Sequence, residues 1–231
     1  EAQLDGPVTA VKADLDVGSL VILVGEGSET HLTYPVAEHP ERYTFTYALN
    51  DGVIELADRW HQRVQISLPW DNLGNEERTA ILTLPAGTEL ETLDLDLDMG
   101  SIELSGVQAD DTTLKINMGS ALVNNSHLGR LDGDLDMGAL EMQEVQLSDG
   151  SRIRLAMGDI SGRVTLRGVI DIAADMGSVD LKLLDTEPYA YDLETEMGEI
   201  TVAGRSSSGR ANYSNEEAVA ELVVHVDMGS I

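Results

Sequence analysis

Cysteine is absent from the 231 residues, so neither a disulfide nor a thiolate metal centre can form. Aromatic residues make up only 4%, with a single Phe. That supply cannot fill a broad core, and it suits a narrow interior lined by aliphatic side chains. Basic residues are scarce too: 14 Lys and Arg, with lysine only at Lys12, Lys115 and Lys182, face 42 acidic residues for a net charge of −28. Such a surface repels nucleic acid and anionic lipid, which excludes both as partners. It favours cations and cationic polymers, and it suits a salty habitat. No apolar run approaches the ~18 residues of a membrane span, and no long amphipathic helix pattern occurs. Glu1 stands where an initiator Met would be. That is consistent with a trimmed chain or with a removed signal peptide, so export to the periplasm, cell envelope or medium is permitted.

What is abundant is one dipeptide. Met-Gly recurs at Met99, Met118, Met137, Met157, Met176, Met197 and Met228. The first five steps between them are all close to 20, and only the last is longer. A fixed period near 20 marks a solenoid, in which each repeat is one coil stacked on the next. The expected fold is therefore all-β, a parallel β-helix or β-roll of 19–21-residue coils.

Leu93-Asp94-Leu95-Asp96-Leu97-Asp98-Met99-Gly100-Ser101-Ile102-Glu103-Leu104 is the clearest coil. Its apolar residues alternate with period two, as in a strand with one buried face. On that reading Leu95, Leu97 and Met99 point inward together and the phase slips at Gly-Ser, a corner with φ > 0. In-register stacking then predicts an interior ladder of Met99, Met118, Met137, Met157, Met176 and Met197 in consecutive coils. Asp14-Leu15-Asp16-Val17-Gly18-Ser19-Leu20 repeats the pattern with Val for Met.

The chain reads as one domain, 1–231. Residues 1–29 form a first coil, 30–87 a β-rich capping segment and 88–231 the Met-Gly coils. In the cap, Tyr43–Ala48 and Val53–Ala57 form a predicted hairpin around Asn50-Asp51-Gly52. Gln65–Pro69 and Ala80–Pro85 are predicted strands ended by proline, and Trp60 and Trp70 fall in the same segment. Residues 203–218, rich in Gly and Ser, read as a mobile loop that accounts for the longer last step.

A strand ending in Leu-Pro, Thr83-Leu84-Pro85-Ala86-Gly87, leads into coils of the form L-x-L-x-x-G-x-I-x-L. These run to Leu193-…-Gly198-Glu199-Ile200 and a final Gly-Ser-Ile coil. This layout resembles the bacterial β-strand-repeat family of unknown function that carries a candidate-adhesin label. The resemblance implies a β-solenoid, usually exported or envelope-associated, with no established activity. Met at the corner departs from the family, whose members usually carry Ser, Ala or Gly there.

Two polar columns flank the corner. Asp98, Asn117, Asp136, Ala156, Asp175, Glu196 and Asp227 precede each Met. Hard cations take several carboxylate oxygens, so Asp98, Asp136 and Asp175 are candidate weak Ca²⁺ ligands. Asn117 and Ala156 interrupt the row, and no Ca²⁺-binding nonapeptide occurs, which favours a plain acidic face. Two residues earlier stand Asp96, Lys115, Asp134, Arg154, Ala173, Glu194 and His225, whose alternating charges help choose which coil stacks on which. Thioethers select Cu(I), yet inward methionines are ordinary core fillers. The five histidines (His31, His39, His61, His127, His225) have no ligand spacing, and no nucleophile elbow or phosphate loop is present. The expectation is a non-enzymatic, cofactor-free surface module for an envelope glycan or protein, with end-to-end or edge-mediated self-association open to it. The rival is a carbohydrate-active enzyme resembling a polysaccharide lyase. It would set Lys115, Arg152 or Arg154 against Asp134 and Asp136, but short coils leave little loop to build its cleft.

Overall fold

The computed structural model describes residues 1–36, 41–61, 78–184 and 187–231. Gln65–Pro69, Trp70 and His39 lie outside the described residues. Among the described residues there is no α-helix, and none long and apolar enough to cross a membrane.

Eight long strands carry the body: β2 (Ala10–Val24), β7 (Glu89–Ser105), β8 (Gln108–Asn124), β9 (His127–Leu147), β10 (Ser151–Leu166), β11 (Gly168–Leu183), β12 (Tyr189–Val202) and β15 (Ala220–Ser230). At about 3.3 Å per residue, a straight strand as long as β7 would run roughly 56 Å. Yet Glu89 pairs in parallel with Gln108, and Ser105 with Asn124, the same offset all along. The chain must therefore return to within one strand spacing, about 4.8 Å, of its own start. Each strand is one coil of a solenoid.

The turns fall where two neighbouring residues both face outward. In β7 these are Glu91-Thr92 and Asp98-Met99, and Ser105-Gly106 closes the coil. Between them Leu90, Leu93, Leu95, Leu97, Ile102, Leu104 and Val107 are buried, and Leu93, Leu95, Leu97, Ile102 and Leu104 stack on counterparts in both neighbouring coils. The core is thus a column of aliphatic side chains, which is why so few aromatics suffice. The step from Met137 to Met157 is one residue longer than its neighbours for a local reason. Glu144, at φ 59°, is an extra residue where the β9–β10 register shifts, and its carboxylate meets Arg163 at 3.2 Å.

Both ends are built out of sequence order. At the N-terminal end β2 lies between β7 and a split outer coil, made of β5 (Val53–Trp60) over its first half and β6 (Thr79–Leu84) over its second. β4 (Tyr43–Asn50) runs antiparallel to β5, and β3 (Thr30–Thr33) antiparallel to β6 and to β1 (Ala2–Leu4). The β4–β5 turn is the pair Asp51-Gly52, with φ of 49° and 84°, and a two-residue hairpin of this kind needs φ > 0 at both positions. Aromatics gather here, with Tyr34 stacked on Phe45 at 5.9 Å.

At the other end the final strand, β15, inserts between β11 and β12. The outer edge of β12 is covered by β13 (Arg205–Ser207) and β14 (Arg210–Tyr213), both antiparallel to it. Residues 203–218 are therefore not simply a mobile loop, because nearly half of them seal an edge that would otherwise offer unpaired backbone. The spatial order of coils ends β11–β15–β12, so Met197 does not follow Met176: Met228 stands between them.

Candidate functional site

The Met-Gly corner is repeated in seven of the eight long coils, with Val17-Gly18 in its place in β2, and its geometry reverses the orientation expected for methionine. Pairing passes from Leu97↔Ile116 to Met99↔Met118, leaving Asp98 and Asn117 outside the ladder as a bulge. The bulge turns Asp98 and Met99 outward together, and inward alternation resumes at Ile102. The phase slip falls before the methionine, not after it. Met99, Met118, Met137, Met157, Met176 and Met197 are accordingly not interior: they are 38–63% exposed, and Met228 is 41% exposed. Met142, the one methionine without a following Gly, is fully buried. The stacking itself is in register, Met99–Met118–Met137–Met157–Met176–Met228–Met197, with Val17 continuing the row on the N-terminal side.

Glycine is required next to it. A Cβ built on Gly100, Gly119, Gly138, Gly158, Gly177, Gly229 or Gly198 would lie 1.6–2.1 Å from the carbonyl oxygen of the glycine in the neighbouring coil. The backbones touch at this corner, and no side chain fits between them.

The acidic residues that precede each Met do not gather the three candidate calcium ligands. Asn117 separates Asp98 from Asp136 and donates its Nδ2 to Asp98 Oδ1. Ala156 separates Asp136 from Asp175. Each pair is two strand spacings apart, about 10 Å, too far to share an ion through one carboxylate each. The residues that do converge are others. Glu196, His225 and Asp227 place one ligand atom each within 4.8 Å of one another, and His225 Nε2 lies 2.9 Å from Asp227 Oδ1. Spacing hid this group, because Glu196 and Asp227 are distant in the chain and meet only through the insertion of β15.

The second column reads, in space, Asp14–Asp96–Lys115–Asp134–Arg154–Ala173–His225–Glu194. Partial burial raises the pKa of Asp96, and Lys115 opposes that rise. Arg152 stands in register with Asp132 and Arg154 with Asp134. All four are exposed and stand in register across neighbouring coils.

Among the described residues Asp58 is the most perturbed carboxyl, 1% exposed and pushed up to about 6 chiefly by burial. It accepts hydrogen bonds from the amides of Asp16 (2.6 Å) and Val17 (3.2 Å) and from the Tyr43 hydroxyl (3.2 Å). Pairing of β5 with β2 ends at Asp58 and pairing of β6 with β2 begins at Thr79, on either side of this corner. A side chain there satisfies the β2 bulge amides, and the role is structural. A cleft of about 800 Å³ opens at the C-terminal end between β11 and β12, beyond Ser230 where β15 no longer separates them. It is walled mainly by aliphatic and tyrosine side chains, with Asp180, Lys182 and Glu199 also on its walls.

The family model described as Toastrack DUF4097 matches residues 17–231. No curated protein matches significantly. A crystal structure of a protein from Clostridium sporogenes ATCC 15579, named for a proposed role in cell adhesion, is similar over 97% of this chain and 92% of that one, at 15% identity and a TM-score of 0.34. Agreement that loose carries no argument about function, and the family match stands without it.

Proposed function

We propose, from the premise that the chain belongs to the Toastrack DUF4097 family, that it is a non-enzymatic, exported module of the cell envelope. It engages an extended glycan or protein along its outer corner. One observation carries this reading: a single outward pattern, a mostly carboxylate-bearing residue, then a thioether, then glycine, repeats coil after coil at steps of about 4.8 Å. A periodic surface is matched to a partner that is itself periodic. The charge of −28 favours a partner with positive groups and speeds its encounter.

The reading is tested by binding the purified chain to glycan arrays and to envelope polymers at two salt concentrations. Salt-sensitive retention without turnover supports it. Release of unsaturated oligosaccharides would rule for a lyase instead, and equal retention of a control protein of matched charge would reduce the surface to non-specific attraction.

A further inference from the structure

We infer that the methionine row is a binding site for a soft monovalent cation, Cu(I), held by thioethers from neighbouring coils. Burial was the reason to discount such chemistry, and the row is on the surface: seven methionines in unbroken register, each 38–63% exposed. Exposed apolar residues usually occur singly; seven in a line need a cause. An apolar docking strip would be served as well by Leu or Val. A thioether adds one property those lack, a soft donor atom.

The spacing fits coordination. With metal–sulfur bonds of about 2.3 Å, as for zinc thiolates, two donors on one ion lie roughly 4 Å apart. Adjacent strands are about 4.8 Å apart, and three rotatable bonds let each Met close the difference. Two or three consecutive thioethers therefore chelate one ion, and a row of seven holds more than one. Neutral sulfurs leave the ion's charge uncompensated, and the carboxylates of Asp98, Asp136, Asp175, Asp227 and Glu196, one residue before their methionines, supply the opposing field. Gly100 and its counterparts matter too, because with no side chain there the corner backbones touch, which keeps successive methionines one strand spacing apart.

The experiment is an anaerobic Cu(I) titration of the full chain in competition with the chromophoric chelator bicinchoninate, with Ag(I) as a redox-inert repeat and Ca²⁺ as a hard control. Variants are the triple Met118→Leu/Met137→Leu/Met157→Leu and a sevenfold Met→Leu of the whole row. Surface Leu keeps the apolar area, and thermal melts verify folding. The expected result is two or more Cu(I) per chain, at least halved in the triple variant and abolished in the sevenfold one, with sulfur as the metal's nearest neighbour by X-ray absorption. Uptake by the sevenfold variant equal to wild type would overturn the inference. So would uptake lost on His225→Ala but untouched by Met→Leu, which would place the metal at Glu196, His225 and Asp227. Either failure leaves the interaction reading of the outer corner standing.

Discussion

Gly138→Ala tests the packing of the corner more severely than any change in the core. The added Cβ would sit 1.8 Å from the Gly119 carbonyl oxygen and 2.9 Å from its carbon, at φ 158°. Both obstacles are backbone, so no rotamer relieves them. Unstrained contact requires the β8 and β9 corners to separate by roughly 1 Å or more, and a ladder hydrogen bond of about 2.9 Å stretched by that much is lost. Two or three ladder bonds at about 1 kcal/mol each, plus backbone strain of about 1–3 kcal/mol, give a cost of about 3–6 kcal/mol. The whole fold is worth only about 5–15 kcal/mol. At about 2–4 °C per kcal/mol for a domain of this size, the melting midpoint should fall by about 6–24 °C.

Gly27→Ala is the matched control. Nothing lies within 4 Å of the place its Cβ would take, and its φ is ordinary. The change should therefore stay within about 0.5 kcal/mol. Both variants are read by circular dichroism melts in the strand region. A Gly138→Ala midpoint within a few degrees of wild type would refute the touching-backbone account of the Met-Gly repeat.

Three further outcomes follow from burial and charge. Met137→Asp, ruinous for an interior residue, should cost no more than about 1 kcal/mol at a 47% exposed site, and dilute peroxide should oxidise the seven corner methionines while sparing Met142, as read by peptide mass mapping; slow oxidation of the row would restore it to the core. Asp58 has its folded pKa raised to about 6 from 3.8. Its contribution is therefore full below pH 4 and lost as pH rises through 6, about 3 kcal/mol in all. Asp58→Asn keeps an acceptor for the Asp16 and Val17 amides, so it should gain on wild type by most of that amount between pH 4 and pH 7 in urea unfolding; a pH-independent difference would contradict the buried carboxyl. NaCl and CaCl₂ at matched ionic strength should raise the melting midpoint nearly equally by screening the acidic columns, whereas a large saturable Ca²⁺ shift removed by Asp136→Asn or Asp227→Asn would mean true sites.

The solenoid was legible because two local signals agree: a 19–21-residue period and period-two alternation within it. The orientation of methionine was not, for a reason the pattern itself contains. Leu97 and Ile102 are both inward and an odd number of positions apart, which needs one phase slip somewhere between them. Alternation cannot say whether the slip precedes Met99 or follows it, and the apolar character of Met favoured the wrong side. The order of the last coils was hidden by a different limit. Period locates a coil along the chain but not along the stack, since any coil of the same length fits any neighbour. Only outward chemistry distinguishes them, and Val223 in β15 stands in register with Asp171 and Asp192 on either side. At that position β15 carries Val between two acids, whereas β12 takes the end of the stack with Arg210 drawn onto Asp192. The chemistry of the surface is thus set where periodicity is silent, at bulges that choose which side chains face solvent and at the ends, where one late strand brings His225 and Asp227 beside Glu196.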